Sequence, residues 1–193
     1  ALALGSVNTM MSASVFARYL SSFKTERVAL SARKPKAKKQ VELDVKSIIE
    51  AYRFARIINH VQGFNLIENA SQQYGWEYSP SEIARIWTQG CIIRSRLMEM
   101  LVQAFKTEKS LFNNTTILDL LKENEAGAAS IIHHGIDQKI ALDCYSSAYN
   151  YWIAMCSESL PANLIQAQRD FFGAHTYRRV DKPFQQTFHT QWQ

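Results

Sequence analysis

Three side chains in this sequence have the type and setting to bind an anion: Arg94, Arg169 and His175. Arg94 stands in Gly90-Cys91-Ile92-Ile93-Arg94-Ser95, after a helix-ending glycine and an apolar triplet. Arg169 stands near the end of Pro161-Ala162-Asn163-Leu164-Ile165-Gln166-Ala167-Gln168-Arg169-Asp170, and His175 follows two residues after Gly173, which reads as a helix stop. Guanidinium groups at helix ends can grip a phosphate through paired hydrogen bonds, and a nearby histidine adds a donor. The same residues also suit plainer roles: arginines that cap carbonyls or pair with carboxylates, and an ordinary turn histidine. Spacing alone leaves both readings open.

Other chemistries lack their residues. The seven glycines, at 5, 63, 75, 90, 127, 135 and 173, form neither G-x-G-x-x-G nor a P-loop, so the chain has no motif for cradling a dinucleotide or a nucleoside triphosphate. His133 and His134 are adjacent, about 100° apart on a helix, a poor geometry for chelating one ion, and no H-E-x-x-H or Cys/His cluster joins them. No metal site is expected. No G-x-S-x-G elbow is present. Cys91, Cys144 and Cys156 lack C-x-x-C spacing, lie in segments that read as helices, and suit reduced core thiols of a cytoplasmic protein.

The elements that must position these residues read as helices. At 193 residues, 47% hydrophobic and 20% charged, the chain is long and apolar enough for a core. Seven glycines and four prolines are about half the usual share, which argues against a turn-rich β architecture. No apolar run reaches the ~18 residues of a membrane span. The N-terminus, ALALGSVNTMM, has no initiator Met and no signal-peptide layout, and reads as the cut end of something longer.

Residues 7 to 32 predict two helices or one bent helix, broken near Ser22-Phe23-Lys24. The net charge of +5 is concentrated in Arg33-Lys34-Pro35-Lys36-Ala37-Lys38-Lys39, and residues 33–40 predict an exposed, mobile loop. From about Leu43 to Tyr74 runs the longest element, apolar on more than one face. Its internal Gly63 predicts a close helix crossing, and Gly75 its C-terminal cap. Ser79-Pro80 starts a helix reaching Gly90, and another covers about Ser95 to Lys106. Asn113-Asn114-Thr115-Thr116 caps a helix that reaches Gly135, with a polar middle. Residues 139–157 and a segment opened by Pro161 and stopped by Gly173 complete the set. After Tyr177 the pattern dissolves into a tail with Phe184, Phe188, His189 and Trp192, too aromatic for a solvated terminus and expected to dock on something.

Three segments, Ser14-Val15-Phe16-Ala17-Arg18-Tyr19, Gly90 to Ser95, and Leu160 through Tyr177, resemble 6-phosphogluconate dehydrogenases, as does Phe188-His189-Thr190-Gln191-Trp192. The likeness spans essentially all 193 residues. It implies an all-α fold, the second part of that family's large helical dimerisation domain, with the Rossmann domain absent. Residues 1–177 would form the substrate-binding and dimerisation domain, and 178–193 a tail docking on the partner subunit.

The family oxidises 6-phosphogluconate with NADP and decarboxylates the product to ribulose 5-phosphate. NADP would be bound mainly by the missing N-terminal domain, which would also hold the catalytic lysine and glutamate, leaving no catalytic residue in this chain. By motif, Arg94 matches the phosphate-binding arginine of its own subunit, and Arg169 with His175 match the pair reaching over from the partner. Residues 122–145 depart from the family, with Gly135-Ile136-Asp137-Gln138-Lys139 where a Gly-Ile-Pro-x-Pro turn is usual.

The resemblance therefore implies a cytoplasmic homodimer acting on 6-phosphogluconate, with neither nucleic acid nor membrane as partner. The competing reading is a non-catalytic helical interaction module derived from the family. Nucleic-acid binding through residues 33–39 is disfavoured, because the basic run has no interleaved aromatics.

Overall fold

Val45–Tyr74 form α3, a 30-residue helix around which the first of two compact units is built. This computed structural model describes residues 1–35, 37 and 42–192; the central part of the predicted basic loop, Lys36 and Lys38 to Val41, lies outside them. Two short 3-10 turns, Leu2–Leu4 and Leu111–Asn113, accompany eight α-helices among the described residues. These are α1 (Thr9–Ser22), α2 (Lys24–Ser31), α3, α4 (Pro80–Ile86), α5 (Arg96–Thr107), α6 (Thr115–Gln138), α7 (Asp143–Met155) and α8 (Ala162–Gly173). The first unit is Ala1–Trp152, the second Ile153–Gln193. Helix α8 therefore groups with the tail.

Local chemistry sets the helix ends. Asp44 accepts from the amides of Lys46 and Ser47 at the start of α3, and Gly75 closes it at φ 67°. Ser79, Ser95 and Asn114 accept from the third residue beyond them, at the starts of α4, α5 and α6. Asn8, preceding α1, makes no such bond. Instead Gln62, fully buried on α3, accepts the Met10 amide at 3.0 Å and donates to Thr9 Oγ1 at 2.9 Å. A side chain 52 residues away thus caps α1 and fixes its start on α3.

The core lies where α3 meets α5, α6 and α7. Phe54 and Ile58 of α3, Met98 and Leu101 of α5, and Leu121 of α6 are completely buried, each worth about 1.5–3 kcal/mol relative to exposure. Phe54 meets the edge of Trp152 at 6.3 Å between centroids, and the Trp152 indole donates to Glu125 at 3.1 Å. The close crossing is not at Gly63, where a Cβ would meet only the Met11 methyl at 3.7 Å. It is at Gly127 on α6, where a Cβ would stand 2.4 Å from Glu50 Cβ on α3.

Other ends differ from the sequence expectation by a few residues. Helix α4 stops at Ile86, and a turn leads through Gly90. The polar middle of α6 stays helical and runs past Gly135 to Gln138, where Lys139 takes the left-handed conformation at φ 57°. At the end of α8 it is Ala174, not Gly173, that turns left-handed, at φ 50°. Cys144 is helical, but Cys91 lies in the turn before α5 and Cys156 just beyond α7.

Burial lowers the pKa of His60 on α3. A hydrogen bond to the Arg56 carbonyl at 2.6 Å opposes this, and the Arg56 charge adds to it. The unfolded chain therefore binds this proton more tightly, and the stability held by neutral His60 is lost as pH falls below about 6.5. Melting temperatures measured from pH 7.5 to 5.5 should fall less steeply in His60→Gln than in the parent; an unchanged slope would remove His60 as the cause.

Candidate functional site: a cationic turn at the end of α8

Helix α8 brings Gln166, Arg169, Asp170 and Gly173 onto one face by the spacing of three and four residues. Arg169 is exposed and reaches Gln166 Oε1 at 3.4 Å. Gln166 Nε2 in turn donates to the Thr176 carbonyl, the next residue after His175. The imidazole of His175 lies against Gly173, where a Cβ would come within 3.2 Å of Nε2. Gly173, the last residue of α8, thus also leaves room for the ring. Two of the three predicted residues, Arg169 and His175, are gathered onto one helix end and the turn that follows it.

Beside them is a concavity of about 350 Å³ lined by Gln166, His175, Thr176, Tyr177, Arg178 and Thr187, with no carboxylate among the lining residues. The Arg178 guanidinium stacks over the Phe184 ring at 3.9 Å. Arg179 is neutralised by Asp181 through two hydrogen bonds of 2.8 and 2.6 Å. Neither Arg169 nor Arg178 has a carboxylate partner among the described residues. The sequence reading missed Arg178, Gln166 and the part played by Gly173; their membership in the Leu160–Tyr177 segment and its continuation was the available signal.

Asp170 anchors this arrangement. Its side chain is fully buried and accepts four hydrogen bonds: to Oδ1 from the Thr176 amide at 2.9 Å and His189 Nδ1 at 3.0 Å, and to Oδ2 from the Thr190 amide and Trp192 Nε1, both at 3.0 Å. Burial pushes its carboxyl up. The bonds from Thr190, His189, Trp192 and Thr176 more than reverse this, holding it well below the usual carboxylate range. An antiparallel bridge between Tyr177 and Phe188, with both bonds at 2.8 Å, brings the tail back to the turn. The tail is therefore ordered, although no periodicity announces it.

Arg94 lies in the first unit, on the turn just before Ser95 caps α5. It is exposed, with Ile92 and Ile93 beside it also exposed, and its side chain has no hydrogen-bond partner among the described residues. Arg18 on α1 is likewise exposed and without a carboxylate partner there, and it falls in Ser14–Tyr19, another of the segments that carry the resemblance. The positive-φ glycines, Gly5, Gly75 and Gly90, close a 3-10 turn, end α3 and sit in the α4–α5 turn. None opens a helix as a phosphate-cradling loop does, so these glycines do not build a cradle that fits the NADP pyrophosphate.

Residues 1–192 match the family model for the 6-phosphogluconate dehydrogenase C-terminal domain. A decarboxylating 6-phosphogluconate dehydrogenase of Haemophilus influenzae is 40% identical over the whole chain, and that of Escherichia coli 35% identical. The chain spans 41% and 42% of their respective lengths. A solved 6-phosphogluconate dehydrogenase of Plasmodium falciparum, described in its apo form and in complex with its cofactor NADP+ and its substrate 6-phosphogluconate, superposes with a TM-score of 0.87 at 32% identity. That match covers 97% of this chain and 42% of the other. With the family model matching residues 1–192 and the fold superposing over 97% of the chain, this chain belongs to the 6-phosphogluconate dehydrogenase family and corresponds to its C-terminal, all-helical domain.

Proposed function

We propose that this chain is the phosphate-binding and dimerising part of an NADP-dependent 6-phosphogluconate dehydrogenase, a cytoplasmic homodimer that converts 6-phosphogluconate to ribulose 5-phosphate. The observation that carries this reading is the carboxylate-free concavity of His175 and Arg178 beside Arg169. A phosphate dianion needs several donors and no competing anion, and guanidinium groups serve it in pairs. Arg169 and His175 hold the phosphate from one subunit, Arg94 from the other. NADP is held mainly by residues outside this chain. Hydride transfer and decarboxylation also fall to residues outside it, and the chain by itself is inactive.

A second reading gives the own-subunit role to Arg18. Arg18 projects from a regular helix among Val15, Phe16, Tyr19 and Leu20, all about half exposed or more. A guanidinium covered along with such a face requires an anion, and a helix fixes it more firmly than the turn carrying Arg94.

Removing one guanidinium from a desolvated dianion costs about 2–5 kcal/mol. In the full-length enzyme, Arg169→Ala and Arg94→Ala should raise KM for 6-phosphogluconate far more than KM for NADP. Arg18→Ala is measured beside them; a selective effect there with none at Arg94 favours the second reading. Equal effects on both substrates, or none, would return the arginines to surface roles.

A further inference from the structure

We propose that Asp170 is a positioning residue for the phosphate site, locking the His175 turn and the end of the C-terminal tail to one buried carboxylate. The proposal rests on the reading that His175 meets the substrate's phosphate.

The His175 turn is an unfavourable piece of backbone. Ala174 and Thr176 flank His175 with φ of 50° and 60°, a region that non-glycine residues seldom occupy unless their surroundings impose it. Here the imposing contacts are visible. The Asp170 carbonyl accepts the Ala174 amide at 2.9 Å, and Asp170 Oδ1 accepts the Thr176 amide at 2.9 Å. Gln166 holds the Thr176 carbonyl from the other side. Both ends of the turn are thus tied to α8, and the His175 ring is directed across Gly173.

The second oxygen of Asp170 does different work. Oδ2 takes the Thr190 amide and the Trp192 indole, while His189 joins Thr176 on Oδ1. The Trp192 ring packs edge-on to Phe171 at 5.8 Å. Two segments that are also joined by the Tyr177–Phe188 bridge and by a 2.7 Å hydrogen bond between the Tyr177 hydroxyl and Thr190 Oγ1 therefore share one acceptor. All four groups donate, so the centre must be acceptor-only. An asparagine would present an NH2 to at least one donor and leave it unpaired and buried.

The test uses the full-length enzyme. Asp170→Asn should raise KM for 6-phosphogluconate about 10- to 100-fold, as misplacement of a binding group does, with much smaller changes in kcat and in KM for NADP. Combined with His175→Ala, it should add nothing to the KM of His175→Ala alone, because Asp170 acts through His175. Amide hydrogen exchange should show residues 174–178 and 188–192 losing protection together. Where Asp170→Asn folds poorly, Trp192→Phe removes one donor and keeps a ring against Phe171; it should move exchange and KM in the same direction by less.

Additive effects in the double variant, or unchanged exchange at 174–178, would overturn the proposal. If exchange rises as expected but His175→Ala leaves KM for 6-phosphogluconate unchanged, the phosphate reading itself has failed, and the positioning role falls with it.

Discussion

Gly127→Ala is expected to destabilise the first unit by about 2 kcal/mol or more, while Gly63→Ala, on the facing long helix, should be neutral or stabilise it by up to about 1 kcal/mol. Alanine improves helix propensity equally at both sites, so the difference between them isolates packing. At Gly127 the new methyl would lie 2.4 Å from Glu50 Cβ, 2.7 Å from Glu50 Oε2 and 3.0 Å from the Ser47 carbonyl oxygen. A Cβ cannot swing aside as a side-chain tip can, and a carbonyl is fixed by its helix. Helix α3 would have to move away from α6, loosening the packing of Phe54, Ile58, Leu121 and Ala128, all of them buried to within 1%. At Gly63 the nearest atom is the flexible end of Met11 at 3.7 Å, an ordinary contact. Urea unfolding of the two variants beside the parent measures both shifts. Equal shifts would mean that the α3–α6 spacing relaxes freely.

That pair of glycines also shows where the sequence stops being legible. The caps at Ser79, Ser95 and Asn114, the break between α1 and α2 at Phe23, and the end of α3 at Gly75 are local signals and were readable. Which glycine faces a neighbouring helix is not local. It depends on how α3 and α6 are rotated against each other, and neither periodicity records that. Gln62 capping α1 from 52 residues away is hidden for the same reason.

The site divides along the same line. Arg169 and His175 stand out in the sequence as candidates because they lie in one contiguous family-like stretch. The donors to Asp170 come from 6 to 22 residues downstream, across a tail without periodicity, so nothing in the sequence marks Asp170 as their centre. Arg94 and Arg18 sit in equally family-like segments, and only variants of each can decide between them.

Mixing two full-length variants that are each nearly silent at low 6-phosphogluconate should restore activity if the phosphate site is shared between subunits. Unit Ile153–Gln193 supports sharing: Asp170 is its only buried residue among those described, while Leu164, Ile165, Phe172 and Phe184 are each at least 60% exposed. A segment with so little core of its own needs another surface, and the apolar side chains of Phe16, Tyr19 and Leu20 offer one of matching character on a second copy. In that arrangement Arg169 and His175 of one chain complete the site begun by Arg94, or by Arg18 under the second reading, of the other. Let Arg169→Ala and the own-side arginine variant, each nearly silent at a 6-phosphogluconate concentration near the parent's KM, be unfolded together, refolded and assayed at that concentration. In a mixed dimer one site collects both lesions and the other collects none. Random pairing makes about half of the dimers mixed, each with one intact site of two, so activity should return to about a quarter of the parent's. If both arginines instead served the site of their own chain, every site would carry one lesion and mixing would restore nothing. Mass spectrometry of the refolded sample confirms that mixed dimers are present, so a lack of recovery would count against the shared site rather than against the refolding.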